Sequence, residues 1–417
     1  MENENTALIT NDAVVFGLLM VVLMIIFYTS SIQTRFWKRF YTFVPAVLMC
    51  YFIPSVLNST GVISGEHSSL YFVASRYLLP ACLVLLTLSV DLGEIKKLGK
   101  KALIMFFAGT TGVILGGPIA ILITSIVAPD VVGGAGPEAV WRGMTTVAGS
   151  WIGGSANQVA MYEVFGPSSE LFSSMIAVDV IVANVWMAFL LYGASRSKRI
   201  DAFFNADSSS IDEVKKRVEE YQASIAKMPT LTDTMKVLGI GFGAMAISHA
   251  AADFIAPLIL ENAPVLKKFS LTNSFFWLVI IATSIGLGLS FTKYKKMEGV
   301  GASRIGSVMI YVLIAAIGTH MDITAIFEDP ALFVVGALWM LVHITILLIV
   351  AKIIRAPFFF VAVGSQANIG GAASAPVVAS AFHPSLAPVG VLLAVLGYVI
   401  GTYGAYICGL MMQAVVP

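Results

Sequence analysis

Ten stretches of this 417-residue chain are apolar over a length that crosses a bilayer as helix: about 13–29, 41–57, 70–92, 102–127, 170–194, 235–260, 273–292, 304–323, 331–353 and 386–412. A spanning helix needs about 20 such residues. Only 12% of the residues are charged, against roughly 25% in soluble globular chains. These two observations exclude a soluble enzyme, a disordered regulator and a coiled coil, and they predict an all-α polytopic membrane protein whose first partner is the lipid bilayer. A net charge of +1 gives no reason to expect nucleic acid. Cys50, Cys82 and Cys408 each lie inside an apolar run without metal-ligand spacing, so they read as small buried hydrophobes.

The basic residues set the expected topology, because Lys and Arg favour the cytoplasmic side. Arg35, Lys38 and Arg39 follow the first run, and Lys96, Lys97, Lys100 and Lys101 follow the third. Loop 58–69 lies between these clusters and loop 128–140 follows the second, and both are expected outside. Segment 58–69 carries no Lys or Arg, and 128–140 carries acids only. The start carries Glu2, Glu4 and Asp12 without a base, so it reads as an anchor with its N-terminus outside, and the C-terminus falls outside as well. Arg196, Lys198 and Arg199 belong inside. That requires the apolar but Gly/Ser-broken stretch 141–165 to leave by the face it entered, as a re-entrant hairpin. Stretch 357–382 is broken in the same manner. The charged segment 210–227 reads as a solvated helix in a cytoplasmic linker. Lys267 and Lys268 are the exception to the pattern.

Shifted by 217 residues, segment 152–194 matches 369–411 without a gap at eleven positions, including Ile152-Gly153-Gly154 on Ile369-Gly370-Gly371, Ala156 on Ala373, and Phe165, Pro167 and Ser168 on Phe382, Pro384 and Ser385. At a shift of 231, Asp91 falls on Asp322 and Ile95 on Ile326. The charge pattern puts Asp91 inside and Asp322 outside, so the two halves are expected to be inverted. The organisation read here is a first repeat at 13–194, a linker at 195–234 and a second repeat at 235–412. Each repeat has five spans and one broken hairpin. Inverted repeats whose discontinuous helices meet near the midplane are transporter architecture.

The broken segments carry the candidate site. Paired glycines leave peptide groups unpaired in the bilayer, and helix N-termini there suit an anion. Ser150, Ser155, Asn157, Gln158, Ser365, Gln366, Asn368 and Ser374 supply oxygens around Gly153-Gly154 and Gly370-Gly371. Asp179 sits in mid-span, where a carboxylate is a functional hypothesis by default, and Asn184 follows one turn on. Na⁺ is expected at Asn157, Asp179 and Asn368, and both hairpin tips are expected to line one polar cavity with Asn157, Gln158, Gln366 and Asn368. His249, Asp253, Thr319, His320, Asp322 and His343 read as packing or interface residues. No catalytic motif, metal-ligand cluster or cofactor fingerprint is visible, so an enzyme is not expected and Na⁺, as coupling ion, is the one inorganic partner.

Through GSWIGGSANQVA and GSQANIGGAASAP, the chain resembles over essentially its whole length the bacterial integral membrane family catalogued as domain of unknown function 819. It is more distantly similar to the superfamily of sodium–glutamate, citrate–sodium and bile acid–sodium symporters, auxin carriers and cation–proton antiporters. Ala156 and Ala373 stand where a Gly-Gly-x-Gly loop has its last glycine. In part of that superfamily the equivalent segments are re-entrant hairpins and in part they are broken crossing helices. The resemblance implies an elevator-type, often dimeric carrier in the bacterial cytoplasmic membrane. The reading taken forward is a cation-coupled symporter, Na⁺ favoured over H⁺, of a small and anionic organic solute. The alternative is a cation–proton antiporter. An intramembrane enzyme or sensor is a third class, for which no nucleophile, base or metal constellation is seen.

Overall fold

A computed structural model describes residues 7–44, 46–65, 68–89, 92–206, 211, 228–269, 271–320, 329–383 and 386–416. Among these the secondary structure is helical, apart from one isolated bridge between Ile9 and Ile63. The helices are α1 (Asp12–Ser31), α2 (Arg35–Phe43), α3 (Ala46–Ser59), α4 (Leu70–Leu88, with a π turn at Ala74–Leu78), α5 (Leu92–Lys97), α6 (Lys100–Val127), α7 (Val140–Gly153), α8 (Ser155–Phe165) and α9 (Ser169–Ala194). The rest are α10 (Ser197–Phe204), α11 (Leu231–Asn262), α12 (Ser274–Ser290), α13 (Ala302–Gly318), α14 (Ala331–Ile354), α15 (Phe358–Ile369), α16 (Gly371–Phe382) and α17 (Ala387–Val415). Asp91, Asp322, Ile326, Pro384, Ser385 and the charged segment 210–227, Ile211 aside, lie outside the described residues.

Seven described helices are long and apolar enough to cross a membrane: α1, α4, α6, α9, α11, α14 and α17. The bent pair of α12 and the turn Lys293–Val300, at 97°, makes an eighth. The other two of the ten expected runs, 41–57 and 304–323, fall on shorter apolar helices. The run 41–57 breaks at Val44, where the backbone is extended, and its membrane part is α3, only 14 residues with Pro54 inside. The run 304–323 keeps 17 helical residues, in α13. At 1.5 Å per residue these helices reach about 21 and 26 Å, less than the roughly 30 Å hydrocarbon core. They cross closely: a Cβ on Gly318 would lie 2.4 Å from the Tyr51 carbonyl oxygen.

The helices pack as two groups. In one, α11, α12 and α13 surround α4, and α3 and α1 pack on α13. In the other, α6, α9, α14 and α17 enclose α7–α8 and α15–α16. Small residues bring α6 against α14. Gly112 faces His343, and a Cβ on Gly116 would sit 2.4 Å from Trp339 Cδ1. Such residues let helices approach where lipid supplies no hydrophobic drive. Trp339 Nε1–H donates to the Val113 carbonyl at 2.8 Å in the same seam.

Several contacts place the helix ends. Lys101 Nζ donates to the Arg355 carbonyl at 3.0 Å, Lys352 Nζ donates to the Phe203 carbonyl, and Phe358 N–H donates to Asp201 at 2.7 Å. The start of α6, the end of α9 with α10, the end of α14 and the start of α15 therefore share one end of the molecule. Helices α6 and α9 both run its length, so the chain between them returns to the end it left. Asp201 caps α15 from a distance. Partial burial raises its carboxyl pKa above the usual range, and the bond from Phe358 N–H opposes that shift.

Candidate functional site

Both broken segments are hairpins. Helix α7 ends at Gly154, whose φ of 75° and ψ of −175° lie where only glycine sits without strain. The chain then folds back, so that the Cβ position of Gly149 lies 2.5 Å from the Asn157 carbonyl oxygen. At the mouth, Arg142 donates to the Phe165 carbonyl, and the Trp141 and Phe165 rings are 5.7 Å apart. Helix α15 turns into α16 at Gly370 and Gly371, the latter at φ 56°. There the mouth is closed by Phe358 and Phe359 on Phe382, at 6.1 and 5.3 Å. The first mouth lies at the far end of α6 from Lys101, and the second lies at the Lys101 end. The hairpins thus enter from opposite ends and meet tip to tip: the Cβ position of Gly371 is 4.0 Å from Gly154 Cα.

Two adjoining cavities flank this junction. One, of about 150 Å³, is lined by Ser150, Gly154, Ser155, Gln158, Asp179, Asn184, Gln366, Gly370 and Ser374, with Tyr51 of α3 and Tyr311 of α13 from the other helix group. The second, of about 220 Å³, shares Gly154, Ser155, Gly370 and Tyr311 and adds Gly371, Ser307 and Tyr398. Asp179 is 7% exposed. Trp151 Nε1–H donates to its Oδ1 at 2.7 Å and Gln158 Nε2–H donates to its Oδ2 at 3.0 Å. Gln366 Nε2–H donates to Ser374 Oγ at 2.7 Å. Its Oε1 is buried without a partner, a cost of about 1–3 kcal/mol that a ligand donor would remove. Asn184 Nδ2–H bonds the Val180 carbonyl at 2.7 Å.

The structure corrects four of the expected placements. Asn157 and Asn368 do not line the cavities; both are fully buried. Asn157 donates to the Gly153 carbonyl at 2.9 Å and accepts from Thr402 Oγ1 of α17 at 2.5 Å. Asn368 donates to the Phe106 and Gly364 carbonyls at 3.0 and 2.9 Å and accepts from Thr110 Oγ1 of α6 at 2.7 Å. Each asparagine pins its hairpin to a neighbouring helix, and its oxygen already holds a donor, which leaves Asp179 alone of the three expected Na⁺ ligands facing the cavity. Ser365 accepts from Trp186 Nε1–H at 2.8 Å and pairs with His343 Nε2 at 2.8 Å. Gly153 is a helix contact, with its Cβ position 2.7 Å from Gly401 Cα. His343 also bonds the Gly109 carbonyl through Nδ1 at 3.0 Å and packs between α6 and α15.

Several site residues escaped the sequence reading. Tyr51, Tyr311 and Tyr398 wall the cavities, but nothing distinguishes them from other tyrosines in apolar runs. Trp151 holds Asp179. Arg76 and Glu163, each a single charge in an apolar stretch, did carry a signal, because a buried charge in a membrane demands a partner. They form an ion pair at 2.9 Å that joins α4 to α8. Tyr71 also donates to Glu163, and Arg76 lies over the Phe275 ring at 4.4 Å.

These features define a polytopic membrane protein built around two hairpins that meet at a polar cavity. The chain belongs to the family described as "Protein of unknown function (DUF819)", whose model matches residues 17–415. It is also similar to YjcL of Bacillus subtilis strain 168, described as an uncharacterized membrane protein. The two are 23% identical over 364 residues, which cover 84% of this chain and 85% of the relative.

Proposed function

We propose that the protein is a secondary-active transporter that carries a small organic solute by alternating access, driven by a cation gradient, Na⁺ before H⁺. The observation that carries this reading is the tip-to-tip meeting of two hairpins from opposite ends beside a cavity holding Asp179 and the unpaired Gln366 Oε1. Irregular backbone at membrane depth is tolerated where it lines a water-filled cavity or is buried in protein, and carriers place their sites there. The 217-residue repeat supports inverted halves, because the helices of hairpin 1 and the start of α9 fall within one residue of those of hairpin 2 and the start of α17 at that shift, while α17 ends four residues beyond it.

The group of α6–α9 and α14–α17 is then the mobile body, and the group around α4 is the scaffold. Both cavities reach residues in the halves of their helices nearer the Lys101 end: Asn184 and Met187 in α9, Leu86 in α4 and Ser307 in α13. At the opposite end Arg76, Glu163 and Tyr71 bridge the two bodies. With the basic loops cytoplasmic, this is an inward-facing state closed on the outside. An anionic group of the solute meets the first-turn N–H groups of α8 and α16, which helix starts leave without intrahelical partners.

Reconstitution into proteoliposomes tests the reading. Uptake of labelled organic solutes is measured under separate Na⁺ and H⁺ gradients. Solute accumulation under one gradient is the expected result. Cation exchange against protons with no organic solute moved would replace it with an antiporter.

A further inference from the structure

We infer that the solute carries a protonated amine, seated between the Asp179 carboxylate and Gln366 Oε1, so that with an anionic group at the hairpin tips it is a small zwitterion of the amino-acid type; this rests on the transport reading above. The cavity chemistry is one-sided. Asp179 is the only ionisable acid in the lining of either cavity, and no Lys or Arg lines them among the described residues. A carboxylate has about four acceptor positions. Trp151 and Gln158 take two at Asp179, which leaves two. Gln366 Oε1 is buried and accepts from nothing, and Ser374 Oγ lies next to it, 2.7 Å from Gln366 Nε2. The open positions are therefore acceptors around one negative charge, and an ammonium group offers three donors and one positive charge.

The same lining shows why an anion alone fits poorly. A carboxylate solute would find no cationic side chain, only backbone N–H groups and hydroxyls at the tips. It would also sit near the Asp179 charge. A zwitterion puts its two charges against the matching parts of the site. The two adjoining cavities, about 150 and 220 Å³, suit a compact solute. A coupling cation shares the positive charge of the amine, so the experiment separates them.

Proteoliposomes holding the full chain are offered the common L-amino acids as separate labelled probes, under each ion gradient. The best probe is then compared with its 2-hydroxy-acid relative, which exchanges the ammonium for a hydroxyl and keeps the carboxylate and side chain. We expect amino-acid uptake, and a loss of about 10-fold or more for the hydroxy acid, the order of one charge-assisted hydrogen bond. Gln366→Leu should weaken both solutes, and the amino acid by the larger factor, because the ammonium offers charged donors to Gln366 Oε1 where the hydroxyl offers one neutral donor. The comparison between solutes needs no variant, so misfolding of Gln366→Leu leaves it standing. Equal uptake of the two acids, or uptake of amine-free organic acids alone, overturns the amine and keeps the carrier. Na⁺ bound at Asp179 with no amino acid transported also overturns it. Failure of every organic solute in sealed, protein-containing vesicles overturns the carrier reading itself.

Discussion

Asn157 and Asn368 do different work from Gln158 and Gln366, the glutamines near them in sequence. Asn157 and Asn368 are each held by one threonine hydroxyl and by backbone carbonyls of their surroundings. Replacing either with alanine removes at least two buried hydrogen bonds, at about 0.5–1.5 kcal/mol each. The expected outcome is a lower unfolding temperature in detergent, with the half-saturating solute concentration moved less than by Gln366→Leu. A large shift in solute affinity at unchanged stability would return the asparagines to the site. Sequence could place all four amides at the broken segments, because glycine pairs and polar residues in an apolar run are visible without coordinates. It could not tell which amides turn inward. That depends on Thr110 and Thr402, which lie 258 and 245 residues away and belong to other helices.

Each hairpin is two short helices of 14 and 11 or 12 and 12 residues, and its shape is set by the tip. Gly154 occupies a backbone region closed to other residues, at about 1–3 kcal/mol for a replacement. Gly370 is held differently: a Cβ there would lie 1.7 Å from Ser374 Oγ and 2.4 Å from Gln366 Nε2. Gly370→Ala should therefore break the Gln366–Ser374 bond and cut uptake severely. Gly166→Ala, at a positive φ with open space around it, should cost stability while transport persists. Uptake and thermal unfolding measured on both variants check this, and equal loss of uptake in the two would show that tip geometry has no special part. The first hairpin was legible from charge, through Arg196–Arg199, and the second only through its match to the first at the 217-residue shift. The short α3 and α13 were not. Hydropathy counts apolar residues, and it is blind to the extended break at Val44 and to the end of α13 at Thr319.

On the scale of the molecule, the Arg76–Glu163 pair ties the two helix groups at the end where the cavities are closed. Glu163→Gln removes the charge and keeps the shape. In a Ser155→Cys background it should speed modification by a membrane-impermeant thiol reagent added outside, since in the orientation proposed above the closure on that side loses its ion pair. An unchanged rate would mean that the pair packs the helices and gates nothing. The native cysteines are buried, which keeps the background low. The same chemistry reads topology: cysteines at positions 12 and 414 are expected to label from outside, and one at 197 only from inside. Outside labelling at 197 would reverse the assignment of the faces.

The two asparagine pins also bear on how the chain is made. Hairpin 1 is complete once residue 165 has been synthesised, yet the threonine that holds its Asn157 comes 245 residues after that asparagine. At about 5–20 residues per second, the ribosome needs roughly 10–50 s to deliver it. Through that interval the nascent first half holds a polar loop at membrane depth without its native partner, and must shelter it in the translocon or in water. The second hairpin never faces this wait, because Thr110 is already in place when Asn368 arrives. Biogenesis of this protein is therefore asymmetric although its architecture is repeated, and the last helix, α17, is the part that locks the first hairpin in place.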